Sequence, residues 1–218
     1  MAGPPGDALV IHRVREAAGE PAGALVLLHG RGANEHDLAP LLDILDERRR
    51  LVGLTPGAPL TDIAPGGRHW YAILRVGFPD PDTFAAGYAQ LTGHLDGWLA
   101  ERGIGWERTV LGGFSQGAVM AYAAALGPGR PSPAGLLAMS GFIPTVDDWA
   151  PELGSRRDLP VLIAHGARDP VISVDFARDA RRRLEEAGLA PEYHESDAAH
   201  HIDPRTVPAL QAWLARVL

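Results

Sequence analysis

An α/β layer fold, with a mostly parallel central sheet and helices on both of its faces, is what this sequence predicts, on three observations. Four short apolar runs, at 24–28 (ALVLL), 109–111 (TVL), 135–139 (GLLAM) and 160–164 (PVLIA), do not alternate with polar residues. Strands buried on both faces of a parallel sheet read this way. Each run exits within two residues through Gly, Ser-Gly or His-Gly, which permits a sharp turn. Helical patterns fill the intervals, the alternation that right-handed strand–helix–strand crossovers produce.

The helices follow from spacing and caps. From Phe84, the series Tyr88, Leu91, Leu95, Trp98 and Leu99 recurs at three to four residues, with Asp82 as the expected N-cap and Gly103 as the stop. Ser173 is placed to cap a helix whose stripe is Val174, Ala177, Ala180 and Leu184, ending at Gly188. Asp203-Pro204 opens a last helix with Val207, Leu210, Trp213, Leu214 and Val217 on one face. The Pro- and Gly-rich segments 55–69 and 76–82 read as loops over a sheet edge. No repeat, low-complexity tract or linker divides the chain, so residues 1–218 are expected to form one domain. No insertion between strands is long enough for a large helical cap.

Composition narrows the chemistry. The 218 residues are 46% hydrophobic and 22% charged, with a formal net charge of −7, which argues against nucleic acid as a partner. There is no Cys and no Lys, all 20 basic side chains being Arg. Disulfides, thiolate metal sites, Cys nucleophiles, Schiff bases and Ser-Lys dyads are thereby excluded. Genomic base composition is the simplest cause of the missing lysines. The start, MAGPPGDALVIHRV, does not read as a signal peptide, and no apolar run approaches the roughly 18 residues of a membrane span. A cytoplasmic protein without stable membrane insertion is expected.

One serine stands between two glycines in Gly113-Phe114-Ser115-Gln116-Gly117. With 26 Gly and 6 Ser in the chain, chance alone gives such a pentapeptide in about one chain in twelve, so the motif needs its context. The context is an apolar strand running in and a helix-forming run, QGAVMAYAAAL, running out, which is the setting of a nucleophile elbow. A serine needs a base, and the base an orienting acid, in the chain order Ser, Asp or Glu, His on this type of fold. Asp169 lies in the loop after the run PVLIAHG; Asp197, close to the histidines in sequence, is the competing carboxylate. His200 and His201 follow a short strand-like segment. The run His29-Gly30-Arg31-Gly32, directly after the first central strand, offers backbone N–H groups for an oxyanion, with the N–H of Gln116 as the partner donor.

These motifs, LLHGRGANEHDL, RHWY, GGFSQGAVMA, MSGFIP, HGARDPVI and AHHI, span residues 25–202. In this order they resemble the phospholipase/carboxylesterase family of α/β-hydrolases, which includes the acyl-protein thioesterases. The resemblance implies an α/β-hydrolase fold without a large cap and a serine carboxylesterase acting on short- to medium-chain esters. Acyl thioesterase or lysophospholipase activity by the same machinery is the alternative. It implies Ser115 as nucleophile, Asp169 as acid, His200 as base, and the N–H groups of Arg31 and Gln116 as the oxyanion hole. Trp70, Phe142 and Val171 are the implied substrate contacts. No cofactor or metal is implied, the partner is a small-molecule ester, and a homodimer is compatible. Two departures stand out: Ala199 where Gly commonly precedes the catalytic His, and Ala72 where an acid often follows the aromatic pair.

Plainer readings apply elsewhere. A non-catalytic binding protein on the same fold is the contrasting function. A metal site at His200, His201 and Asp203 fits by residue type, but a histidine that ligates metal cannot also serve as the base. His29 and His165 read as buried histidines tying loops together. Arg48-Arg49-Arg50 and Arg181-Arg182-Arg183 read as solvated helix faces, and Trp213 as core.

Overall fold

The computed structural model describes residues 10–63 and 67–218. Residues 1–9 of the N-terminal stretch, and positions 64–66 of the first Pro/Gly segment, lie outside the described residues. The strands are β1 (His12–Arg15), β2 (Ala24–Leu28), β3 (Val52–Pro56), β4 (Ile73–Arg75), β5 (Phe78–Pro79), β6 (Thr109–Phe114), β7 (Gly135–Met139), β8 (Val161–Gly166) and β9 (Glu192–Ser196). The helices are α1 (Ala39–Leu45), α2 (Pro81–Glu101), α3 (Gln116–Leu126), α4 (Val174–Glu186) and α5 (Val207–Val217). Seven strands form the main sheet in the order β1-β3-β2-β6-β7-β8-β9. All its pairs are parallel except β1 with β3. β4 and β5 make a separate two-stranded hairpin.

The apolar runs lack alternation because each central strand feeds two cores. Ala24, Val26 and Leu28 of β2 face one core while Leu25 and Leu27 face the other. β7 and β8 divide likewise, Leu136 and Ile163 to one side and Leu137 and Leu162 to the other. The first core is closed by α2, α3 and α4, the second by α1 and α5. Helix α3 is buried along its whole length between the sheet and α2, so its sequence is apolar or small almost throughout. Among the described residues no large cap covers the sheet.

Several boundaries differ from the sequence reading, each for a local reason. Helix α2 is capped by Asp80, whose Oδ1 accepts from the Thr83 N–H at 3.0 Å, with Pro81 at the first helical position; Asp82 falls inside the first turn. Gly103 and Gly188 follow α2 and α4 with φ of +63° and +90°. Asp203 caps a 3₁₀ turn, Pro204–Thr206, that runs into α5. Segment 55–69 is not all loop, since β3 takes in residues 55 and 56 as an inner strand. Segment 76–82 likewise contains β5 and the start of α2. Arg48–Arg50 lie in the turn beyond α1 rather than on a helix face, with Arg49 at φ +48°. Arg181 and Arg182 are on α4, paired with Glu185, Glu186 and Asp179, and Trp213 is buried in the second core.

Candidate active site

The carboxyl ends of four of the sheet's parallel strands, with β7 between β6 and β8, converge on one place, where open α/β sheets bind ligands. β6 ends at Phe114 and delivers Ser115; β8 leads to Asp169, β9 to His200, and β2 to the loop 29–32. Ser115 sits at φ 54°, ψ −121°, a strained conformation for a residue with a side chain. Backbone bonds hold it there: its N–H donates to the Met139 carbonyl at 2.9 Å, and its own carbonyl accepts from Val119 N–H at 3.2 Å. The two glycines permit different contacts. A Cβ on Gly113 would lie 2.4 Å from the Gly117 carbonyl carbon, whereas one on Gly117 would lie 2.0 Å from the Leu28 oxygen. The second glycine therefore lets α3 start against the end of β2.

His200 bridges the other two groups. Its Nδ1 lies 2.6 Å from Asp169 Oδ2, and its Nε2 lies 2.9 Å from Ser115 Oγ. With Nδ1 facing a carboxylate the neutral ring carries its proton there, so Nε2 accepts from the serine hydroxyl. The Phe114 ring packs on the imidazole at 4.9 Å between centroids. His201, the neighbouring candidate, is exposed. Backbone bonds join the loops that carry the acid and the histidine, Ala167 N–H to Ser196 O at 2.7 Å and Arg168 N–H to Ala198 O at 2.9 Å. Ala199 stands in for the glycine of related motifs without strain, since its φ is not positive.

Asp169 has a buried side chain. Burial alone would raise its pKa, but the bond from His200 and those from the N–H groups of Ile172 and Val171 outweigh burial and hold it below the usual carboxylate range. Asp169 Oδ1 accepts both N–H groups, at 2.9 and 2.8 Å, so the acid stays ionised and fixed. Asp197 turns away and pairs with Arg168 at 2.5 Å on the surface. Asp203 is taken up by Arg205 at 2.7 Å. Among the described residues no group of three or more His, Asp or Glu could hold a metal ion.

The loop after β2 lies against the serine: a Cβ on Gly30 would sit 3.5 Å from Ser115 Cβ. The Arg31 N–H finds no backbone partner among the described residues. Gln116 is the first residue of α3, so its N–H has no carbonyl within the helix. Three contacts in this region lie beyond the sequence reading. The Gln116 side chain accepts from Trp70 N–H and donates to Tyr71 O, both at 2.8 Å. The Trp70 indole N–H donates to the His29 carbonyl at 2.9 Å. His29 in turn accepts at Nε2 from Ala58 N–H at 3.0 Å and bonds Gly30 O through Nδ1 at 2.7 Å; burial pushes its pKa down. A glutamine side chain bonding backbone at both ends leaves no periodic trace in a sequence.

Of the three implied substrate contacts, Trp70 is 1% exposed and lies beneath the site, its one donor already used. Phe142 is buried and packs against Phe176 of α4 in a tilted arrangement, 5.1 Å between centroids. Val171, two residues beyond the acid, is 53% exposed. Ala72, the other departure from the family pattern, donates its N–H to Thr83 Oγ1 at 3.0 Å.

This architecture is that of an α/β-hydrolase. The chain belongs to the phospholipase/carboxylesterase family, whose profile matches residues 10–218, and is a hydrolase of that family. It is 26% identical over 194 residues to acyl-protein thioesterase 1 of Debaryomyces hansenii, covering 81% of this chain and 82% of that protein. A crystal structure of esterase PE8 superposes with a TM-score of 0.81 at 26% identity, covering 96% of this chain and 99% of that one. The Bacillus cereus carboxylesterase shares the fold, with a TM-score of 0.83 at 22% identity over 97% and 96% of the two chains.

Proposed function

We propose that this protein is a serine carboxylesterase that hydrolyses short- to medium-chain carboxylic esters through an acyl-enzyme on Ser115. What carries the reading is the unbroken line from Ser115 Oγ through His200 to Asp169, with contacts of 2.9 and 2.6 Å. Ser115 Oγ attacks the ester carbonyl as its proton passes to His200 Nε2. The oxyanion is met by the N–H groups of Arg31 and Gln116, at the dipole-positive start of α3. Collapse breaks the ester C–O bond, and His200 returns the proton to the departing alcohol. Water, deprotonated by the same imidazole, then attacks the acyl-enzyme and releases the acid and a free Ser115. Asp169 fixes the tautomer and stabilises the imidazolium throughout. Phe142 and Val171 flank the acyl group, and Trp70 forms the floor.

One observation favours a second reading, thioester hydrolysis: the apolar hairpin β4–β5, with Leu74 69% exposed, beside a chain whose relative in D. hansenii is named an acyl-protein thioesterase. Rates on p-nitrophenyl esters and matched thioesters of rising chain length separate the two, and labelling by a fluorophosphonate tests the nucleophile. No turnover and no labelling would leave a binding protein instead. The same reading takes residues 1–218 as one domain acting in the cytoplasm, as a monomer or a homodimer. Sedimentation distinguishes those two states.

A further inference from the structure

His165 lies at the end of β8, four residues before Asp169, and the esterase mechanism does not use it. Its side chain and that of Asp169 are both fully buried, and its Nε2 lies 3.4 Å from Asp169 Oδ2, the oxygen that bonds His200. The same Nε2 makes a hydrogen bond of 2.9 Å with the Ile172 carbonyl. A carbonyl only accepts, so Nε2 carries the proton. Nδ1 is buried without a hydrogen-bond partner, as befits a neutral ring. The contacts close a circuit: Nε2–H holds the Ile172 carbonyl, while the Ile172 N–H holds Asp169 Oδ1 at 2.9 Å. Both ends of one residue's backbone are therefore used to fix the acid.

We propose that His165 is a positioning residue for the acid: as a neutral Nε2–H donor it pins the 169–172 turn and sets its N–H edge against Asp169 Oδ2. The charged and titratable groups facing this ring are Asp169, His200 and, across β9, Glu195; His201 and Asp203 line the small cavity beside it. Burial keeps the ring neutral by lowering its pKa. A cationic ring there would compete with His200 for the carboxylate. Without this N–H the 169–172 turn loses its anchor, Asp169 is less well placed against His200 Nδ1, and the imidazolium formed during turnover is less stabilised.

The inference rests on the esterase reading, and its test separates the two. On the unmodified protein, ¹⁵N NMR of the ring reports the tautomer without any substrate; a neutral Nε2–H form between pH 6 and 8 is expected, and an Nδ1–H form overturns the proposal. For turnover, His165→Leu removes the donor and His165→Gln keeps an N–H at nearly the same reach. His165→Leu should lower kcat by about 10- to 100-fold with KM little changed, because the acid is misplaced. The acid limb of its pH profile should move to lower pH, and His165→Gln should restore most of both. An unmoved pH profile with kcat within twofold in a folded His165→Leu means packing alone and overturns the proposal. So does a folded His165→Gln as impaired as the Leu variant. If His165→Leu does not fold, His165→Gln and the tautomer decide. Loss of all turnover in the parent would sink the esterase reading while leaving the tautomer result standing.

Discussion

The serine turn at 113–117 and the hairpin at 73–79 are neighbours built on opposite terms. The turn has no slack: β6 and α3 enclose it, Ser115 is buried, and a single methyl on Gly117 would meet the Leu28 oxygen at 2.0 Å. The hairpin has three residues in one strand and two in the other, and presents Ile73, Leu74, Val76 and Phe78 to solvent. It touches the site only at its margins. Gly77 passes the ring of Phe176, which packs against Phe142, and the chain entering β4 comes from Trp70 and Tyr71, held by Gln116. Reacting groups need placement to a fraction of an ångström, which only a packed element provides. A surface that accepts variable acyl chains is better built from an element that can give way. On the esterase function proposed above, the turn would carry the chemistry and the hairpin would select the acyl chain.

The largest effects should come from the turn. Ser115→Ala should lower ester turnover by about 10⁴-fold or more, because such groups act as a unit, while the melting temperature stays near the parent's. Gly117→Ala should lose activity for a different reason, a lowered melting temperature, since two backbone carbonyls of β2 and its exit, Leu28 O and His29 O, stand where the methyl must go. A stable, active Gly117→Ala would mean that the turn has slack and the contrast is false.

Next comes the acid. Asp169→Asn should lower kcat by about 10³- to 10⁴-fold through the wrong imidazole tautomer. Asp197→Asn should stay within about threefold, since its carboxylate pairs with Arg168 at the surface and exposed pairs contribute little. Reversal of that order in kcat, with folding checked by circular dichroism, would move the acid to the 197 position.

How much of this was legible in the sequence depends on where each residue gets its instructions. β2, β6, β7 and β8 announce themselves because both their faces are apolar. β1 (HRVR) is a polar edge strand with two side chains exposed and two half-buried, and β3 carries Gly53 and Pro56. Gly53 is there because a Cβ would lie 2.7 Å from the Leu42 side chain, a demand that comes from α1 and leaves no local pattern. Ser115, Asp169 and His200 could be picked out by chain order at strand ends, and the fold brings them within hydrogen-bond distance. The Gln116 side chain and the Trp70 indole bond backbone far away in sequence, so residue type alone gives them no role; His165 reads as a loop-tying histidine, but only the fold shows that the turn it ties is the one carrying Asp169.

Gln116 joins the two regions, and its side chain offers an intermediate effect. Gln116→Ala leaves the Trp70 N–H and Tyr71 carbonyl buried without their partners, at a cost of about 1–3 kcal/mol in stability. Its backbone N–H remains, so kcat on acetyl esters should fall less than for Asp169→Asn. Selectivity among chain lengths should also change, because the entry to the hairpin is released. A fall in kcat equal to that of Asp169→Asn would mean that the side chain acts on the oxyanion donor itself.

The smallest effect, and the sharpest for the contrast, belongs to Leu74. It is the most exposed of the hairpin's apolar residues, at 69%, so replacing it with Ser removes apolar surface without opening a cavity, and stability should hardly move. If the hairpin selects acyl chains, a side chain that covers a substrate methylene contributes up to about 0.8 kcal/mol for each CH₂ it buries, or roughly fourfold. Leu74→Ser should therefore leave kcat/KM on the acetyl ester as it is and lower it by about four- to tenfold on octanoyl and longer esters or thioesters, steepening the dependence on chain length. The measurement is kcat/KM across a series of p-nitrophenyl esters from two to twelve carbons. An equal loss at every length would mean that Leu74 supports the turn rather than the substrate. No change at any length would mean that the acyl chain does not reach the hairpin and is held by Phe142 and Val171 alone.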